Sequence, residues 1–285
     1  MRALPPGRRT DLLHGVRFGQ PAHPGLVRLP LGCWTSAVLL DLCGGRGRAA
    51  ERASATLIAA GVATALPAAA AGLADWSALH QHQQRVGLVH AISQAGATLL
   101  FACSLLARAA GRRRNGMALA AGGLAAAAGG GYLGGYLAHR LGAGTSHAEP
   151  IGHLAVIGWQ DLCPLAELPE GRSARRQLGY LSLLAVRAGQ SVSVLSDQCS
   201  HLGGPLHQGR VVIDGEQACV VCPWHGSTFR LNDGSVRRGP ATARQPAFET
   251  RVSDVGVVQV RPRQAGETAD AAPPRLRRPF RSAAG

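Results

Sequence analysis

Residues 199–229 read C-S-H-L-G-G-P-L-H-Q-G-R-V-V-I-D-G-E-Q-A-C-V-V-C-P-W-H-G-S-T-F. Two boxes stand out: C-x-H at Cys199 and His201, and C-x-x-H at Cys222 and His225. Each box follows an apolar, strand-like run and opens into Gly and Pro, which places all four side chains on loops. Between the boxes, Arg210 to Ile213 and Gln217 to Val221 flank Asp214-Gly215, a strong hairpin signal. A hairpin returns the chain to its starting point, so the pattern predicts that the two boxes face each other.

Four such donors suit two kinds of metal centre. Zinc takes Cys2His2 sets, but its usual spacing pairs Cys with Cys and His with His. Here each box carries one of each. That arrangement suits a two-iron, two-sulfide cluster in which one iron takes both thiolates and the other both imidazoles. On these residues the chain resembles the Rieske iron–sulfur proteins. The resemblance covers roughly residues 152–263 and includes Trp159 and the Gly239-Pro240 loop. It implies an all-β domain, a [2Fe-2S] cluster held by Cys199, His201, Cys222 and His225, and one-electron transfer. The 20 residues between His201 and Cys222 exceed the spacing expected of ferredoxin-like members, and the hairpin absorbs the excess.

The ligand set has electrostatic consequences. Two ferric ions, two sulfides and two thiolates sum to zero charge, so reduction is easier than in a four-Cys cluster, within about −150 to +300 mV. Each imidazole keeps an N–H that couples proton to electron transfer. The position within that range depends on what surrounds the cluster. The high-potential relatives in cytochrome bc complexes add one Cys to each box and join them by a disulfide. Gly204 and Trp224 occupy those places here. Ser227 matches the family's hydroxyl donor to a cluster sulfide, whereas Phe229 stands where those relatives use Tyr. The resemblance therefore implies an intermediate or low potential. Cys219 reads as a small core residue of the strand before the second box.

The rest of the chain has a different character. Hydrophobic residues make up 46% of the 285 residues and aromatics only 4%, with 38 Gly and a net charge of +14. All 30 basic residues are Arg. Much of this charge lies in short loops beside apolar segments, and no basic helix with interleaved aromatics occurs, so it reads as membrane topology and not as a nucleic-acid surface. Four apolar stretches near 26–45, 53–75, 86–107 and 117–138 are each long enough to cross a bilayer as a helix. Their Ala-rich composition leaves a soluble bundle as the competing reading. Gly129, Gly130, Gly131, Gly134 and Gly135 would let neighbouring backbones approach closely. Pro67 is expected to kink the second helix. This half resembles a four-helix bacterial membrane domain of no assigned activity that can precede a Rieske domain. The resemblance rests on G-Q-P-A-H-P-G-L-V-R-L-P-L-G-C-W (19–34) and G-L-A-D-W (72–76).

Threading the four helices brings His14, His23, His80, His82, His90, His139, His147 and Asp75 to one face. The opposite loops, 44–52 and 108–115, hold Arg but no His. His23, His90, Gln94 and His139 come from different helices yet share a depth. They are candidates to hold a haem, another metal or a quinone headgroup, against a plain reading as interfacial hydrogen-bonding groups.

The expected organisation is multidomain. A basic segment (1–25) leads into an all-α four-helix transmembrane bundle (26–142) and a linker (143–151). An all-β Rieske-type domain (152–263) and a disordered tail (264–285) follow. Arg8-Arg9 hints at a twin-arginine signal, but no apolar stretch follows closely and no cleavable leader is expected. Seven Arg (46, 48, 52, 108, 112, 113, 114) lie in the opposite loops and seven (2, 8, 9, 17, 28, 85, 140) on the Rieske side. Local density favours the opposite loops as cytoplasmic. The missing disulfide and the lack of an export signal favour a cytoplasmic Rieske domain, and that placement is adopted. The expected function is a membrane-anchored electron carrier, with the bilayer and a redox partner protein or quinone as partners. A redox sensor, or the electron-transfer component of an oxygenase whose catalytic subunit is a separate chain, are the other readings. No self-contained catalytic site is visible: an oxygenase iron held by two His and a carboxylate has no counterpart in the 60 residues after His225, which contain no His.

Overall fold

The computed structural model describes residues 7–44, 47–154 and 158–263. They form two compact units: Leu13–Gly15 with Pro21–Gly144, and residues 7–12 and Val16–Gln20 with the described residues from Thr145 on. The expected disordered tail, 264–285, lies outside the described residues.

The first unit is helical. After α1 (Arg8–His14), which straddles the division between the units, and the short α2 (Ala22–Leu26), four long helices follow: α3 (Arg28–Cys43), α4 (Arg48–Ser77), α5 (Gln81–Ala109) and α6 (Arg113–Gly135). A π-helical turn, Tyr136–Arg140, extends α6. With α2 continuing into α3, all four spans are long and apolar enough to cross a membrane. The segment read only as polar and basic thus contains two short helices, and the first span begins at Ala22. Pro67 is accommodated within α4, which stays one continuous helix.

The side chains are sorted in an unusual sense. Ala37, Ala97, Ala120 and Ala127 are fully buried, while Leu42, Leu66 and Leu106 are about 70% exposed (71%, 68% and 70%). In water that distribution would forfeit most of the available apolar burial. In lipid it costs nothing, because helices there associate through close packing of small residues. The soluble-bundle reading is therefore the poorer one. The few large interior rings lie against glycines: the Trp34 indole occupies the space a Cβ at Gly61 would need, and stacks on Phe101 at 4.4 Å between centroids. Two helical hairpins result, α3/α4 and α5/α6, which contact each other less extensively than their own members do.

One charge assignment changes. Arg108 is not a loop residue available to the membrane surface. It is buried with Asp41, both guanidinium amino groups donating to the two carboxylate oxygens. Its Nε donates to Ser104 Oγ at 3.2 Å, and that hydroxyl donates to Gly116 O at 2.6 Å. Three helices are tied at one point, and Arg108 drops out of the arginines that weigh on membrane orientation.

The second unit is all-β apart from short helical turns. It begins with α7 (Ile151–Leu154) and contains two antiparallel sheets. The first has the order β1 (Gln160–Pro164), β10 (Val257–Pro262), β9 (Ala247–Val252), β4 (Ser191–Ser196), β3 (Leu181–Ala188), β2 (Ser173–Leu178). The second runs β5 (Arg210–Asp214), β6 (Gln217–Val221), β7 (Thr228–Arg230), β8 (Val236–Arg238). The hairpin expected at Asp214-Gly215 forms, with Asp214 opposite Gln217 and Gly215 at φ 69°. Ala148 and Ile151, read as linker, are buried in the core of this unit beside Leu183 and Val258. The β fold therefore starts several residues before 152.

Removing one member of the Asp41–Arg108 pair leaves the other charge buried and alone. Asp41→Asn or Arg108→Met should cost about 3–5 kcal/mol, read as a large drop in the detergent-phase melting temperature. The double variant Asp41→Leu/Arg108→Met should recover most of it.

Candidate metal centre

The two boxes form loops of one design. In the first, Cys199 N–H donates to Gly204 O at 2.9 Å and Gly203 N–H donates to Cys199 O at 2.8 Å. In the second, Cys222 N–H donates to Ser227 O at 2.8 Å and Gly226 N–H to Cys222 O at 3.1 Å. Both loops turn at a glycine four residues after the cysteine, Gly203 at φ 76° and Gly226 at φ 79°, a conformation other residues adopt at a steric cost. The first loop leaves β4 and the second leaves β6, so the two sheets present them to each other.

The thiols meet in the interior. Cys199 and Cys222 are buried, and the Cys199 thiol donates a hydrogen bond to Cys222 sulfur. That bond, with burial, pushes the Cys199 thiol well up; the same bond, against burial, pulls Cys222 down to about 7. Backbone N–H groups of His201 and Leu202 point at one sulfur, and those of Trp224 and His225 at the other. A pair of buried sulfur atoms ringed by N–H donors is suited to negative charge.

The imidazoles form the second pair. The His201 and His225 rings lie 5.1 Å apart between centroids at 84°, and both are partly exposed. Two imidazoles bound through nitrogen at ~2 Å to one tetrahedral ion have centroids about 5 Å apart. Among the described residues, no three His, Cys, Asp or Glu side chains form a group that would hold a lone metal ion. Two donor pairs, one of sulfur and one of nitrogen, fit the two irons of a cluster better than a single zinc.

The surroundings also match. Ser227 is fully buried and its oxygen accepts Ala241 N–H at 3.0 Å, which leaves the hydroxyl proton to donate elsewhere. Phe229 is fully buried in the core that contains both cysteines. Gly204 packs against the Trp224 ring, and a Cβ at Gly204 would come 3.0 Å from Cys222 sulfur. Cys219 is fully buried in β6, its thiol pushed up by burial.

Three supports were not visible in the boxes. Gln245 is buried and bridges the first loop, accepting Ser200 N–H at 3.0 Å and donating to Ser196 O at 2.9 Å and Gln198 O at 2.6 Å. Asp197 accepts from His207 N–H at 2.7 Å, from the His207 ring at 2.7 Å and from Ser182 Oγ at 2.9 Å. Asp11, from the N-terminal segment, accepts Gly239 N–H at 2.9 Å next to the Gly-Pro loop. Nothing in their spacing marks these residues.

In the helical unit the structure brings together two of the four speculative membrane residues. The His23 and His90 rings are 6.2 Å apart. Gln94 is turned to α6, donating to Ala127 O at 3.3 Å. His139 is exposed in the π-helical turn. On the same histidine-bearing face, His14 bonds Asp75 at 2.7 Å.

Comparison with known proteins agrees with both halves. Residues 158–249 match the model of the Rieske [2Fe-2S] domain, and residues 19–147 that of "Predicted membrane protein (DUF2231)". The chain is 32% identical over 80 residues to the 3-phenylpropionate/cinnamic acid dioxygenase ferredoxin subunit of Escherichia coli K12, covering 28% of this chain and 72% of that subunit. Against the solved ferredoxin of carbazole 1,9a-dioxygenase from Nocardioides aromaticivorans IC177 it is 25% identical. That match covers 37% of this chain and 98% of the ferredoxin, with a TM-score of 0.34. The chain spans only 14% of the length of Apoptosis-inducing factor 3 from Mus musculus, at 29% identity over 91 residues.

Phe229→Tyr should raise the reduction potential by adding a hydroxyl near the sulfur atoms, and Ser227→Ala should lower it by removing one. An EPR-monitored redox titration reads both, and a fall for the Tyr variant would contradict this account of the surroundings.

Proposed function

The chain belongs, through its C-terminal domain, to the Rieske [2Fe-2S] family, and on that premise we propose that it is a membrane-anchored one-electron carrier. The carrying observation is the asymmetry of the donor pairs: the thiols are buried, whereas the imidazoles reach the surface beside the half-exposed Trp224. When bound, the cluster supplies a one-electron couple with a proton on the histidine side. Cys199 and Cys222 hold one iron away from water, and His201 and His225 hold the other where a partner can approach. The Gly203 and Gly226 turns fix the donors before metal arrives, so little rearrangement accompanies a change of charge. Ser227 offers its hydroxyl proton to the sulfide side.

The partner is a redox protein, by the analogy of ferredoxin subunits of dioxygenases, and the anchor is the set of four apolar helices in the bilayer. Exchange with a haem or quinone held by the membrane histidines extends the same reading. The β domain is assigned to the cytoplasmic side. In support, all seven cysteines are unpaired, as suits a reducing compartment.

Two measurements test these statements. Purified protein should contain about two non-haem irons and two acid-labile sulfides per chain, with the low average g value of a His-ligated reduced cluster. Tightly bound zinc without sulfide would overturn the assignment. A fluorescent-protein fusion after Gly285 should be bright if the C-terminal side is cytoplasmic, whereas an active periplasmic alkaline phosphatase fusion at the same point would reverse the orientation.

A further inference from the structure

His23 and His90 are held by the same device, built twice. His23 Nδ1 lies 2.8 Å from Ala68 O on α4, and His90 Nδ1 lies 2.7 Å from Gly130 O on α6. A carbonyl only accepts, so in each ring the proton is on Nδ1 and the lone pair is on Nε2. One turn beyond each carbonyl stands a glycine. A Cβ at Gly72 would come 2.9 Å from the His23 ring, and one at Gly134 would come 3.2 Å from the His90 ring. Each imidazole therefore lies against a bare patch of its neighbour's backbone, with tautomer and orientation fixed. A backbone-anchored imidazole of this kind is how metal-ligating histidines are prepared.

The two copies face each other. His23 belongs to the α3/α4 hairpin and His90 to the α5/α6 hairpin, and these two layers are the less tightly joined pair in the bundle. The ring centroids stand 6.2 Å apart. Two imidazoles on opposite sides of one metal ion, each bound through nitrogen at ~2 Å, have centroids roughly 6 Å apart. That separation exceeds the 5.1 Å of the His201–His225 pair, whose rings are spaced for adjacent positions on one ion. Two donors are too few for a bare divalent ion, and among the described residues no third His, Cys, Asp or Glu completes a group. Haem iron needs only two, because the porphyrin supplies the four equatorial nitrogens.

We propose that the helical unit binds one b-type haem between its two hairpins, with His23 and His90 as the axial ligands. The proposal rests on the carrier reading for its purpose, since a second one-electron centre is of use beside the first. Its ligands, however, lie wholly in the helical unit. Gln94 and His139 take no part as ligands: the first is spent on α6 and the second is exposed.

The test uses the full chain, purified in detergent from a host supplied with a haem precursor. The expected result is one haem per chain by pyridine haemochromogen assay and a sharp low-spin spectrum on reduction. His23→Ala and His90→Ala should each abolish the low-spin spectrum, while His82→Ala, at an exposed position, should leave it unchanged. Retention of the cluster's EPR signal and of a single gel-filtration peak controls for folding. Should an alanine variant fail that control, His23→Met replaces it and should give a low-spin spectrum with a sulfur-to-iron band. If the protein emerges without haem, haemin titration should saturate at one per chain in wild type only. No saturation, haem retained by the His23→Ala/His90→Ala double variant, or quinol-dependent cluster reduction without haem would each overturn the proposal. Acid-labile sulfide and the cluster's EPR signal report separately on residues 158–249, and haem binding adds a third iron without adding sulfide, so loss of the carrier reading and loss of the haem site are distinguishable.

Discussion

Two buried cysteines that meet sulfur to sulfur set the terms for the β unit. Such a pair is a poor way to stabilise a core, because each sulfur displaces a hydrocarbon side chain and both are ringed by N–H groups that an apolar neighbour would leave unsatisfied. The N–H groups instead favour sulfur in its thiolate form, the form that ligates a metal. The matched hydrogen bonds that close both loops, the Gln245 bridge and the Asp197–His207 contact all hold this pair in place. The two sheets supply the stiffness that lets two distant strand ends act as one rigid claw.

Much of this was legible from the residues. The boxes state their own donors, and the Asp214-Gly215 hairpin gives the fold-back because a type of turn with positive φ has few sequences that satisfy it. The apolar strands Leu181–Ala188 and Ser191–Ser196 pair across a similarly short connection, which Gly189 turns at φ 63°. Gln245 and Asp197 were not legible. Gln245 acts where the chain entering β9 meets the first loop, and Asp197 where His207 and Ser182 of β3 converge, juxtapositions that leave no periodic trace. Ala148 and Ile151 looked like linker because their segment is Gly- and Pro-rich, yet two apolar side chains were enough to draw it into the core.

In the helical unit the lengths of the spans were legible and the partners of the charges were not. Asp41 and Arg108 are separated by two helices in the chain, and only the bundle brings them together. A count of loop arginines takes each residue at face value, whereas a guanidinium already paired inside the bundle carries no topological signal. The shared depth of His23 and His90 was readable from helix lengths. The glycines that seat the two rings acquire meaning only once the facing helix is known.

The seating of rings on glycine has a consequence for how this bundle tolerates change. In a water-soluble core the damaging substitutions are those that remove atoms. Here the interior is already bare, and cohesion depends on backbones and rings meeting without intervening side chains, as at Trp34 and Gly61. A single added methyl group pries helices apart, at about 1–3 kcal/mol, while on the proposed membrane reading trimming a leucine on the outer surface exchanges one apolar contact for another. The map of mutational sensitivity is thus turned inside out, with the interior glycines and alanines the least replaceable and the outward leucines the most expendable.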